Sequence, residues 1–87
     1  MKFNHYDLGN LFQGQTAIVS LSGSAANVLL LDDLNFRHYR SGQRYNYRGG
    51  YTTQSPYRVT IPSSGRWHIV VDLGGYTGNV TSSVRVV

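Results

Sequence analysis

The sequence predicts a mainly β fold, a small antiparallel β-sandwich or flattened barrel with one short helix around residues 33–41. Three features carry that reading. Turn signals recur at short intervals, at Gly9-Asn10, Ser22-Gly23-Ser24, Ser41-Gly42, Gly49-Gly50, Pro62-Ser63-Ser64-Gly65 and Gly74-Gly75, and β-branched and aromatic runs lie between most of them. Several of those runs alternate with period two, which puts successive side chains on opposite faces of a sheet. A single segment breaks the pattern with helix-capping residues at both ends.

Taken in order, Val19 and Leu21 follow Ala17 on one face of the first clear strand, while Ser20 and Ser22 share the other with Ile18. Val28, Leu29, Leu30 and Leu31 lack alternation, as a strand covered on both sides would. Asp32 and Asp33 offer N-cap oxygens, Leu34 to Arg40 supply two turns, and Gly42 suits the left-handed residue that ends a helix. Phe36 and Tyr39, three apart, face the sheet, and Arg37, Arg40 and Arg44 project outward if the turn continues. Arg44-Tyr45-Asn46-Tyr47-Arg48 reads as a strand with tyrosines on one face and arginines on the other. Tyr57, Val59 and Ile61 oppose Arg58 and Thr60, and Trp67, Ile69, Val71 and Leu73 oppose His68, Val70 and Asp72. Pro62 to Gly65 should therefore join antiparallel neighbours, and Gly74-Gly75 should close a hairpin onto a last strand in which Val80, Ser82, Val84 and Val86 share a face.

At 87 residues the chain is read as one domain, 1–87, with room for one modest core and none for a deep, separately walled cleft. No internal repeat or low-complexity segment is evident. Eight Lys and Arg against four Asp give a net charge of +4, which attracts acidic partners. Seven of the eight are arginine, whose planar fork suits phosphates, carboxylates and aromatic faces better than lysine does. The absence of cysteine removes disulfides, thiol nucleophiles and thiolate metal sites. His5, Asp7, Asn10 and Gln13 interrupt the start of the chain, so no apolar run of signal-peptide length follows Lys2. The longest apolar run, Val28 to Leu31, falls far short of the roughly 20 residues that span a bilayer, and a soluble, cytoplasmic protein with no membrane partner is expected.

Ligand information concentrates in FRHYRSGQRYNYRGGYTTQSPYR, from Phe36 to Arg58, which contains no acidic residue. Arg37 and Arg40 on the helix, with Arg44, Arg48 and Arg58 on adjacent strands, form a candidate patch for bidentate phosphate contacts. Tyr51, beside Gly49-Gly50, is the tyrosine expected at an exposed hairpin end, where a stacked base is worth about 1–3 kcal/mol. Ordinary sheet architecture, with tyrosines inside and arginines solvated outside, accounts for the same residues.

Other chemistries are weaker. His5, His38 and His68 show no metal-ligand spacing, and His68 with Asp72, four residues along a strand and about 13 Å apart, cannot pair. His68 reads as a satisfied surface histidine. Four carboxylates, two of them better placed as helix caps, leave little for acid–base work. Ser22, Ser24, Ser63 and Ser64 sit in turns without a Gly-x-Ser-x-Gly elbow. Gly23 and Gly65 belong to no phosphate-binding or dinucleotide fingerprint. Neither catalysis nor a cofactor is expected.

LSGSAANVLLLDDLNF at 21–36, IPSSGRWH at 61–68 within SPYRVTIPSSGRWHIVVDLGGYTGNVTSSVRVV at 55–87, and KFNHYDLG at 2–9 resemble the bacterial DUF1883 family over essentially the whole chain. The resemblance implies a compact β-rich domain. Some members are joined to TIR-type domains, which suits a sensing or interaction role, and this chain resembles the free-standing form. It supplies no catalytic residues. The leading expectation is a non-catalytic binding module for an anionic ligand such as a signalling nucleotide or nucleic acid. The alternatives are a structural or protein-interaction domain that forms a homo-oligomer through strand edges or its aromatic surface, and glycan binding through aromatic faces, although no acidic calcium-type loop is visible.

Overall fold

The unalternating run Val28 to Leu31 lies inside a sheet with both faces covered, as its composition requires. The computed structural model describes residues 3–87. Its elements are β1 (Phe3–Leu11), β2 (Thr16–Gly23), β3 (Ala26–Asp32), α1 (Asp33–Ser41), β4 (Arg48–Thr52), β5 (Tyr57–Thr60), β6 (Gly65–Asp72) and β7 (Val80–Val86). They form a four-stranded sheet in the order β1-β6-β3-β4 and a three-stranded sheet in the order β5-β2-β7, antiparallel throughout. The sheets pack face to face as a sandwich and do not close into a barrel.

Period-two alternation divides the core into two layers. Val28 and Leu30 of β3 and Ile69 and Val71 of β6 point between the sheets, where Ala17 and Val19 of β2 and Ile61 meet them. Leu29 and Leu31 of β3 and Val70 of β6 point the other way, onto Phe36 and Tyr39 of α1. The helix is specified locally. The Asp32 carboxylate accepts a hydrogen bond from the Asn35 amide at 2.8 Å, and Gly42, at φ 78° and ψ 15°, turns the chain out of the last turn. Its span matches the sequence prediction, and none of the described helices is long and apolar enough to cross a membrane.

Connectivity departs from the sequence reading. Each connection between consecutive strands crosses from one sheet to the other except β3 to β4, which α1 bridges. Thus Pro62 to Gly65 joins strands of different sheets, and Gly74-Gly75 does likewise instead of closing a hairpin. Turn residues report that the chain reverses, whereas packing decides whether the reversed strand hydrogen-bonds beside its predecessor or stacks across from it.

Two glycine signals also change meaning. Gly9 sits in a bulge inside β1, at φ 69°, where its amide donates to Asp7 Oδ1 at 3.0 Å and the register with β6 shifts. Gly49 and Gly50 lie within β4 and do not form a turn. Gly49 opposes Leu29, and any Cβ there would run into the Val28 carbonyl oxygen. The expected strand over Arg44 to Arg48 begins only at Arg48. The segment before it follows the helix: the Asn46 amide donates to Asn35 Oδ1 at 2.8 Å, and Tyr45 meets the Tyr39 ring edge-on at 5.2 Å. Partners on the helix replace a ladder there.

Candidate functional site

The polar members of two alternating strands converge beneath α1. In β1, His5 and Asp7 fall on the helix side of the sheet, opposite Val70 and His68 of β6. His68, expected at the surface, is only 3 % exposed. The polar face of β6 is a second buried layer, because the helix covers it.

Burial is tolerable because both ring nitrogens of His68 are engaged. Its Nε2 lies 2.9 Å from Asp33 Oδ1, and its Nδ1 lies 2.9 Å from His5 Nε2. Hydrogen bonds from His68 and Arg37 hold the Asp33 carboxyl below the usual carboxylate range, so Asp33 is an acceptor at neutral pH. His68 Nε2 therefore directs a proton at Asp33, and the hydrogen bond between His68 Nδ1 and His5 Nε2 takes its direction from the tautomers of the two rings. The chain Asp33–His68–His5 leaves His5 Nδ1 as the ring nitrogen with no hydrogen-bond partner among the described residues.

Phe36 roofs the pair. Its ring stacks on His5 with centroids 4.0 Å apart and on His68 at 4.5 Å, each at an interplanar angle of 13°. His5 keeps one side in solvent. Partial burial, followed by the neighbouring His68 charge, lowers the His5 pKa; Arg40 adds to the lowering, and Asp7 opposes it. The neutral ring is the form this environment favours.

Charges surround the pair in matched sets. Arg66 reaches from β6 to Asp7, an ion pair that lowers the Asp7 pKa and raises that of Arg66, and its Nε lies 3.8 Å from Asp33 Oδ1. Arg37 meets Asp33 Oδ2 at 2.9 Å, one turn along the helix. Arg40 is different. Its guanidinium carbon stands over the Phe36 ring, 5.6 Å from the centroid, and it has no carboxylate partner among the described residues.

A second polar cluster lies farther along the same face. Asp72, 4 % exposed, accepts from Tyr39 Oη at 2.6 Å, Asn27 Nδ2 at 2.9 Å and the Gly74 amide at 2.9 Å. Burial and the hydrogen bond to Asp72 push the Tyr39 pKa up, so the phenol remains a donor. This cluster pins the helix to β3, β6 and the loop that follows β6.

The arginines singled out from the sequence scatter over the molecule. Arg37 and Arg40 share the exposed side of α1, and Arg44 is exposed in the segment leading to β4. Arg48 opens β4 and lines a cleft with Asp32, Asn35 and Tyr47 at the end of the sandwich. Tyr51, 70 % exposed, lies on β4 opposite Asn27. Arg58 is elsewhere: on β5 it pairs with Ile18, whose neighbours Ala17 and Val19 point into the core, so it occupies the outer face of the other sheet beside Arg85. Only Arg37 and Arg40 stand by the histidine pair. Sequence reasoning passed over His5, Asp7, Asp33, Arg66 and His68 in any functional role; their one trace was a shared parity of polar residues in two segments about 60 positions apart.

Among the described residues no group of three or more His, Cys, Asp or Glu side chains is arranged to hold a metal ion. A family model described as a domain of unknown function, DUF1883, matches residues 1–87. No curated protein and no solved structure matches the chain.

Proposed function

The chain belongs to the DUF1883 family, whose description states no activity, and from its own surface we propose that it is a non-catalytic binding module for a small anionic ligand held where α1 meets β1. The observation that carries this reading is Arg40. It is a cation on an exposed helix face, oriented by the ring of Phe36 and paired with no carboxylate among the described residues, on the helix that covers the histidine pair. Arg37 and Arg66 are already bound to Asp33 and Asp7, and so they add positive potential without competing for the same geometry. A nucleotide-sized anion fits this arrangement better than a polynucleotide, which would need several cations along one track, and Arg48 and Arg58 diverge from Arg40.

Titrating the protein with inorganic phosphate while following amide shifts tests the reading. Arg40→Ala should weaken binding by about tenfold or more, the scale of one charge-assisted hydrogen bond. Arg58→Ala, on the far sheet, should leave it unchanged. Equal effects of the two substitutions would remove the site from α1.

Self-association has an observation of its own. β4 is an edge strand of the larger sheet and presents Tyr51 at 70 % exposure, whereas the opposite edge, β1, is tied to β7 by the Tyr6 hydroxyl donating to the Ser82 carbonyl at 2.7 Å. A concentration-dependent mass that Tyr51→Lys abolishes would favour that role.

A further inference from the structure

We propose that the cleft at the end of the sandwich, where β3 runs into α1, is a second site that takes a free amino acid with an apolar side chain, its ammonium group on Asp32 and its carboxylate on Arg48. The inference stands apart from the anion-binding reading and uses different residues.

Strand register puts the two charges on one face. Leu30 and Trp67 point between the sheets. Asp32 lies two residues beyond Leu30 on β3 and directly opposite Trp67 of β6, and Arg48 of β4 lies directly opposite Leu30. All four side chains therefore leave the larger sheet on the same side. Asp32 and Arg48 become diagonal neighbours on adjacent strands, about 7–8 Å apart, a gap that a small ligand can bridge. The four residues line one cleft of about 570 Å³, within the size range of small-molecule sites.

Both charges are held in place and unspent. Asp32 Oδ1 accepts from the Asn35 amide at 2.8 Å and from Asn35 Nδ2 at 2.9 Å, whereas Oδ2 has no hydrogen bond among the described residues. No buried side-chain oxygen or nitrogen among those residues lacks a partner, so Oδ2 is open to solvent. Arg48 is exposed and pairs with no carboxylate among the described residues. These two are the only charged side chains among the described residues that line the cleft. A simple anion there meets the Asp32 carboxylate and a simple cation meets Arg48, whereas a zwitterion satisfies both.

The rest of the cleft suits an apolar body. Trp67 donates its indole N–H to the Ser63 carbonyl at 2.8 Å, which satisfies its polar edge and leaves the ring as apolar wall beside Leu30 and Pro62. Tyr47, 50 % exposed, stands at the rim, and the hydrogen bond from the Asn46 amide to Asn35 Oδ1 ties its segment to the helix.

Phenylalanine, hydrocinnamate and phenethylamine share one apolar body and carry, in turn, both charges, the anion alone and the cation alone. Titrated at pH 7 and followed by amide shifts, phenylalanine should bind about tenfold or more tightly than either analogue, the scale of one charge-assisted hydrogen bond. Asp32→Asn keeps a capping oxygen for α1 and removes only the charge. It should weaken phenylalanine about tenfold and leave hydrocinnamate bound as well or better. Arg48→Gln, exposed at the start of an edge strand, should weaken phenylalanine by a similar factor and spare phenethylamine. Arg40→Ala should change none of the three, which keeps this site distinct from the anion site. Equal affinities for the three compounds, or phenylalanine binding indifferent to Asp32→Asn and Arg48→Gln, would overturn the zwitterion assignment. Binding of none of them would overturn the site itself.

Discussion

At the residue scale, His5 makes stability depend on pH in a defined direction. The fold lowers the His5 pKa below its ordinary 6.5, so on acidification the unfolded chain binds a proton that the folded chain resists. Stability attributable to His5 is complete above pH 6.5 and falls as pH drops from there toward the lowered pKa. Asp7 and Asp33, held below 3.8 by Arg66, His68 and Arg37, act with the same sign in a lower window, where protonation breaks their pairs. Urea midpoints at pH 7.5, 5.5 and 3.5 should therefore fall in two stages. His5→Gln should flatten the first and keep the second; an unchanged first stage would mean that His5 is not desolvated by Phe36. The Asp72 cluster offers a pH-independent test. Tyr39→Phe removes one of three donors to a carboxylate 4 % exposed, and denaturation should show a loss of about 1–3 kcal/mol.

At the element scale, α1 was the most legible part of the chain, because everything that specifies it lies within eleven residues. Asp32, the pair Phe36 and Tyr39, and Gly42 are local signals, and the helix starts and stops where they place it. The β1 strand shows the opposite case: Gly9-Asn10 carries turn chemistry, yet pairing with β6 absorbs Gly9 as a bulge. The candidate site stayed hidden for a related reason. His68, Val70 and Asp72 alternate with Trp67, Ile69 and Val71 just as a solvent-facing row would, and only the helix laid over them makes that row interior. A helix of nine residues does not persist alone in water, so its caps and its packing must act together. Gly42→Ala, forced to adopt φ 78°, and Asp32→Ala, without its cap oxygen, should each cost about 1 kcal/mol. Phe36→Ala, which uncovers both imidazoles, should cost about 3–5 kcal/mol. A cost for Phe36→Ala no larger than for either cap would show that the helix contributes little packing to the sheet.

At the scale of the whole molecule, the two layers share their central strands. β3 and β6 supply Val28, Leu30, Ile69 and Val71 to the space between the sheets, and Leu29, Leu31 and Val70 to the space under the helix. Which strands would be neighbours could not be read from the chain, because the residues that pair, such as His5 with Val70 or Ala17 with Val86, are far apart and carry no mutual label. The same topology has a kinetic consequence. With only β3 and β4 pairing as consecutive strands, nearly every ladder closes a long loop, and folding should take milliseconds to seconds, as in other all-β domains. Sharing of β3 and β6 also makes the layers one cooperative unit. Trp67, the single tryptophan, lies 8 % exposed in the inter-sheet layer and reports on it alone. Phe36→Ala disturbs the helix layer and Ile61→Ala the inter-sheet layer, yet each should lower the midpoint seen by Trp67 fluorescence and by far-ultraviolet circular dichroism to the same extent. If Phe36→Ala lowered the dichroism midpoint and left the Trp67 transition in place, the helix and the candidate site beneath it would open separately from the sandwich, and the proposed anion would then have to organise them.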